Sequence, residues 1–128
     1  MYREITQGIR VEVKPEYLPE ESDPEAAQFI FAYHVEIENV GETNVQLVSR
    51  HWIITDGNGG TREVKGPGVV GEQPKLAPGE AHRYSSYCPL PTPTGNMRGT
   101  FQFVNHLGAE FNARIPLFFL RATPVGSA

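Results

Sequence analysis

Cysteine is nearly missing: Cys88 stands alone in the chain, which excludes an internal disulfide and leaves any fold to be held by its own core. Basic charge is also short, with 11 Lys and Arg against 15 Asp and Glu, for a formal net charge of -4. No broad positive field exists to bind a nucleic-acid backbone by counterion release, so nucleic-acid binding is not expected. Long apolar runs are absent too. Ile115 to Leu120 falls far short of the ~20 residues needed to cross a bilayer, and no membrane insertion is expected. Met1-Tyr2-Arg3-Glu4 lacks the basic-then-apolar pattern of a signal peptide, so the expected compartment is the cytoplasm. His34, His51, His82 and His106 are scattered without the paired spacing of a zinc site. Ser85, Ser86 and Cys88 have no elbow motif and no coupled histidine and acid. Neither a metal site, a cofactor nor a catalytic residue is therefore expected, and the chain is read as a non-enzyme, with Cys88 a small buried hydrophobe.

What is present points to strands. At 128 residues the expectation is a single domain, 1–128, large enough to bury a core unaided. Phe 7 and Tyr 5 against Met 2, together with Pro 11 and Gly 13, favour pleated surfaces joined by turns over helices. Ile9, Val11 and Val13 alternate with charged residues up to Pro15, where that strand should close. Phe29, Phe31, Tyr33, Val35 and Ile37 alternate over a full strand ending at Asn39-Val40-Gly41-Glu42, with His34 on the wet face. Between them, 19–28 reads as an acidic loop in which Asp23-Pro24-Glu25 could cap one helical turn. Val45 and Leu47 are apolar at odd positions, Trp52 and Ile54 at even ones, so a β-bulge is predicted within Ser49 to His51, with Trp52 in the core. Later strands carry Tyr84, Ser86 and Cys88, then Phe101 and Phe103, then Phe111, Ala113 and Ile115, with 89–95 a connector. Pro116 suits an edge or a bulge, and a bulge there would turn Phe118 and Leu120 inward rather than Leu117 and Phe119. A tail from about 121 should fray. Roughly seven short strands with frequent turns fit an all-β, antiparallel sandwich of the immunoglobulin or fibronectin type III kind.

The most densely specified stretch runs from Arg50 to Glu80. Asp56-Gly57-Asn58-Gly59-Gly60 is a hairpin turn, and Pro78-Gly79 suits a type II turn. Between them Gly66, Gly68 and Gly71 fall at the spacing of a dinucleotide fingerprint. That fingerprint needs a strand before it and a helix N-terminus after it. Here Pro67 removes an N–H, Val69-Val70 favours extended backbone, and Pro74 follows closely; a bent connector is expected instead. Two readings stay open. Either the glycines supply only backbone angles, or their amides form an anion-binding nest with Lys65, Lys75 or Arg62 nearby. Arg50 and Glu72 sit among apolar or glycine residues, so they are expected to pair, with each other or with Asp56, and anchor the loop.

Taken together, Val45-Gln46-Leu47-Val48-Ser49-Arg50-His51-Trp52-Ile53-Ile54-Thr55-Asp56, Val64-Lys65-Gly66-Pro67-Gly68-Val69-Val70-Gly71-Glu72-Gln73-Pro74 and Leu76-Ala77-Pro78-Gly79-Glu80 resemble the ApaG (CorD, DUF525) family. Tyr84-Ser85-Ser86, Gly95-Asn96-Met97-Arg98-Gly99 and Ile115-Pro116-Leu117-Phe118-Phe119-Leu120 complete the resemblance along nearly the whole chain. It implies a fibronectin type III-like sandwich that works as a protein-interaction unit, with a partner protein unnamed by the sequence and self-association as a homodimer open. It also implies a link to cobalt resistance and magnesium efflux, and a pyrophosphate- or nucleotide-binding role suggested for the glycine loop. Tyr87 departs from the small residue, commonly Gly, expected after Ser86. Ile30 and one of Phe118 or Phe119 are the outward apolar residues a partner would meet.

Overall fold

The computed structural model describes residues 1–123. In chain order its strands are β1 Tyr2–Thr6, β2 Ile9–Tyr17, β3 Phe29–Asn39, β4 Val45–Asp56, β5 Thr61–Pro67, β6 Lys75–Leu76, β7 Ala81–Leu90, β8 Thr94–Asn105 and β9 Glu110–Arg121. They form two antiparallel sheets, one ordered β1-β2-β3-β7 and the other β5-β4-β8-β9, with β6 paired to β4 beyond the end of β5. Seven of these strands make the expected sandwich. The additional ones are the hairpin strand β1 and the two-residue β6.

Alternation decides what fills the space between the sheets. Val11, Val13, Phe31, Val35 and Ile37 from one sheet meet Leu47, Trp52, Phe101, Phe103, Ala113 and Phe118 from the other, all buried. Trp52 is the hub, with the rings of Tyr33, Phe101 and Phe118 at 5.2, 6.1 and 5.9 Å and steep interplanar angles. Such edge-to-face pairs add about 0.5–1.5 kcal/mol each beyond area burial. Cys88 is buried, and burial pushes its thiol up.

Two bulges keep these faces consistent. The β4–β8 register passes from Leu47↔Phe103 to Ser49↔Gln102, so the extra residue is Val48, one position before the predicted window. The parity change bounds the insertion but does not fix which residue is left over. On β9 the register passes from Ile115↔Gly99 to Phe118↔Met97, which places the second bulge at Pro116 and turns Phe118 and Leu120 inward. Leu117 and Phe119 stay exposed.

Two expectations need correction. Pro15 does not close its strand: it pairs with Tyr33 inside β2. β1 reaches only as far as Val13, so Pro15 lies where β2 has a free edge and its missing N–H breaks no ladder. The 89–95 connector shrinks to 91–93, since β7 runs through Pro89 to Leu90. The acidic loop carries two 3-10 turns, Pro19–Glu21 and Pro24–Ala26, the second entered at Asp23 but without a side-chain cap. The tail expected to fray begins at Arg121, which is still in β9, and from 124 onward lies outside the described residues.

Candidate functional site

The glycine-spaced segment is a bent plug fastened over the Val48 bulge. β5 runs along β4 as far as Pro67↔Ser49, and β6 rejoins the same edge at Gln46↔Lys75, so residues 68–74 bridge the irregular part of β4. The bulge turns the Val48 carbonyl toward them. Gly68 N and Gln73 Nε2 both donate to it at 2.8 Å, and Leu47 N donates to Pro74 O at 3.0 Å. Val69 is completely buried and fills the core beneath the loop. No helix follows.

Residues 69–72 close on themselves through reciprocal bonds, Val69 N to Glu72 O at 2.8 Å and Glu72 N to Val69 O at 3.0 Å. Val70 and Gly71 have φ of 47° and 79°, so Val70 is not extended, as its type suggests, but left-handed. A β-branched residue there carries strain of order 1–3 kcal/mol, held by the two bonds and by Val69. A side chain at Gly68 is excluded twice over: its φ is 60°, and a Cβ would stand 2.2 Å from Glu72 O.

The anchoring charges are arranged differently from the expectation. Arg50 faces the other sheet, on the Trp52 side of β4, and its Nη1 donates to Pro67 O at 2.9 Å and Gly68 O at 3.0 Å. It pairs with neither Glu72 nor Asp56. Gly66, opposite on β5, leaves room for the guanidinium, because a Cβ would lie 3.1 Å from Nη1. Glu72 reaches instead toward His82 on β7, at 3.4 Å. Asp56 Oδ1 accepts from Asn58 N and Gly60 N and shapes the β4–β5 hairpin, away from the loop.

The two lysines are not gathered at one site. Lys65 lines a shallow depression with Ser49, Arg50, His51, Gly66 and Gln102, at the first glycine but apart from Gly68 and Gly71, whereas Lys75 lines another with Gln46, Glu80 and Asn105. Of the loop amides, those of Gly68, Val69 and Glu72 are bonded within the chain, leaving Val70 and Gly71 for any ligand. Three histidines contact a carboxylate apiece: His34 with Glu16, His51 with Glu63, His82 with Glu72.

Sequence reasoning missed a second feature, the open side of the sandwich between β5 and β7. There a polar cleft of about 230 Å³ is lined by Tyr33, Arg50, Arg62, Val64 and Ser86, among others. Arg62 crosses it, its Nη2 donating to Pro89 O at 2.6 Å and lying 3.6 Å from Cys88 Sγ. Burial pushes the Tyr33 phenol up, with Ser86 and Arg50 partly offsetting it. Burial raises Tyr84 far more, and its hydroxyl, close enough to Tyr33 and Arg50 to feel both, has no hydrogen-bond partner. The only advance signal was Arg50 among apolar neighbours.

The family model described as ApaG domain, DUF525, matches residues 19–105. Protein ApaG of Rhodospirillum centenum is 56% identical over 120 residues, covering 94% of this chain and 92% of the relative. Protein ApaG of Bordetella pertussis is 54% identical over 112 residues, covering 88% and 86%. Among solved structures, the putative ApaA protein from Bordetella pertussis superposes with a TM-score of 0.87 at 50% identity, covering 94% of this chain and 95% of that one. The C-terminal domain of Wzt superposes at 0.54 with 12% identity over 96% of this chain and 78% of its own, a likeness of fold alone. With the sandwich, the plugged bulge and these relatives in agreement, the chain belongs to the ApaG family.

Proposed function

We propose that the chain is a non-enzymatic protein-interaction module that docks a partner segment in the groove between its acidic loop and β7. The observation that carries this is Tyr87. It is 68% exposed, on the outer side of an edge strand, and with Ile30 and Tyr17 it lines a depression of about 760 Å³. Exposed aromatic and apolar groups in a concavity are the anchors of interfaces. Glu16, Glu20 and Glu21 line the same groove. An apolar side chain flanked by Lys or Arg therefore complements it in shape and charge. β7 pairs only with β3, so an extended partner segment could also add to its free edge. The cobalt and magnesium link that the family resemblance implies is read as an effect carried by that partner.

The test is affinity capture and peptide titration with wild type, Tyr87→Ala and Glu20→Lys/Glu21→Lys. Peptides carrying an apolar residue between lysines should bind wild type, weaken by about tenfold on the double charge reversal, and be lost with Tyr87→Ala. The same partners and affinities in all three proteins would end the proposal. A dimer in sedimentation that the same substitutions dissociate would make a second copy the partner. A second reading, a sensor of phosphate compounds or divalent ions at residues 66–72, is favoured only by the unbonded amides of Val70 and Gly71. Calorimetry with magnesium, cobalt and diadenosine tetraphosphate on wild type and Gly68→Val discriminates it; null traces for both would remove it.

A further inference from the structure

We infer that the cleft between β5 and β7 is a seat for a small oxyanion of phosphate type, gripped by Arg50 and Arg62 with the hydroxyl of Ser86. Its gripping residues differ from those of the docking groove and from the glycine-loop amides, although Tyr87 lines both depressions. Charge points to it first. Among the described residues no carboxylate lies within salt-bridge range of either arginine, in a chain whose acids outnumber its bases. Both nonetheless line one cleft. Arg50 is partly covered and Arg62 exposed, so the cost of holding a guanidinium out of water without an anion falls on Arg50, and both are suited to bidentate capture of phosphate or carboxylate.

Hydrogen-bond capacity agrees. Each guanidinium has five N–H donors. Arg50 uses Nη1 on the two loop carbonyls, and Arg62 uses Nη2 on Pro89 O and Cys88 Sγ, so Nε and the other terminal nitrogen of each are uncommitted. These tethers hold the side chains in place, so that little rotamer freedom remains to be lost on binding. The Tyr84 hydroxyl is the only described buried side-chain N or O atom without a partner. It is buried and does not line the cleft, so it is not one of the groups of the seat. The Glu72–His82 contact lies toward the other end of β7, about 13 Å along the strand from Ser86 at ~3.3 Å per residue. Size narrows the ligand: at about 230 Å³ the cleft is smaller than a usual small-molecule pocket of about 300–1,000 Å³ and suits a phosphoryl group rather than a whole nucleotide.

Inorganic phosphate, titrated into the full chain at constant ionic strength and followed by NMR, is the test. Saturable shifts are expected at Val64, Ser86 and the arginine side-chain nitrogens, with affinity falling about tenfold or more in Arg62→Gln. Tyr84→Phe, which removes a hydroxyl that does not line the cleft, should keep the fold and bind phosphate as wild type does, whereas Ser86→Ala should bind more weakly. Arg10→Gln, on the opposite face, should bind as wild type does. A phosphoserine peptide is the arm that separates sources: tighter binding than free phosphate marks a modified protein, weaker binding the free ion, and both support the seat. Absence of saturable shifts at millimolar phosphate, or shifts unchanged by both Arg62→Gln and Ser86→Ala, would overturn it. Shifts confined to Val70 and Gly71 would overturn it in favour of the loop.

Discussion

Arg10 and Arg50 both lie partly covered on a β-sheet, yet one is surrounded by carboxylates and the other by backbone carbonyls, aromatic rings and hydroxyls. On the outer face of the β1-β2-β3-β7 sheet, Arg10 contacts Glu12, Glu36 and Glu38, while Arg3 and Arg83 join Glu12 and Glu36. Three arginines meet three glutamates across neighbouring strands, with Arg10 opposite Glu38, Glu12 opposite Glu36 and Glu36 opposite Arg83. This face is electrostatically closed. The β5–β7 cleft holds Arg50 and Arg62 with no described acid in range. The difference separates charge spent on holding strands together from charge left available for something outside the chain.

The largest expected effect removes the support under the second arginine. Gly68→Val places a Cβ against Glu72 O at a positive φ, so urea unfolding should show a loss of about 3 kcal/mol or more, with the plug displaced and Arg50 released. Arg10→Gln comes next, at about 2 kcal/mol, because three partly covered carboxylates then face one another. Its pH dependence follows from sign. Arg10 and Arg83 hold the Glu36 carboxyl below its usual range against the opposing effect of burial. Burial pushes Glu12 up, but Arg10 and Arg3 outweigh it, and Glu12 also titrates low. Both contribute stability that is present above their unfolded pKa of about 4.3 and is lost as pH falls through the lower folded values. Arg10→Gln should flatten that acid limb in denaturation measured across pH. Arg62→Gln should leave it unchanged.

Smaller effects sharpen the contrast. Val70→Asn relieves a left-handed β-branched residue and should raise the unfolding free energy by about 1 kcal/mol, leaving both arginines in place. Tyr84→Phe removes an unbonded buried hydroxyl and should be neutral or stabilising by up to about 1 kcal/mol in thermal unfolding. A clear loss of stability would mean the hydroxyl is satisfied within the folded chain.

Much of this was legible in the residues, and the limits are physical. Period-2 alternation marked β3, β4 and β9, and the shift from Leu47 to Trp52 required a bulge. β6, with two residues, is too short to show a period, and Pro15 looked like a strand end because its neighbour β1 could not be read. The glycine spacing located the plug but not its fastening, since the Val48 carbonyl became an acceptor only through the bulge. Arg50 stood out among apolar neighbours, but its partners proved to be carbonyls, which no side-chain pattern announces. The cleft was illegible. Arg50 and Arg62 share the β4–β5 hairpin and Tyr33 pairs with Ser86 across β3 and β7, and the two pairs meet only because one sheet lies across the other.

Thermal unfolding with and without millimolar phosphate, at one ionic strength, tests the contrast most directly when wild type, Arg10→Gln and Arg62→Gln are run together. Phosphate should raise the transition of wild type and Arg10→Gln by the same increment, as a ligand of the folded state does, and raise that of Arg62→Gln much less. Equal increments in all three, the general salting effect alone, would contradict the distinction between a closed charge network and an open one.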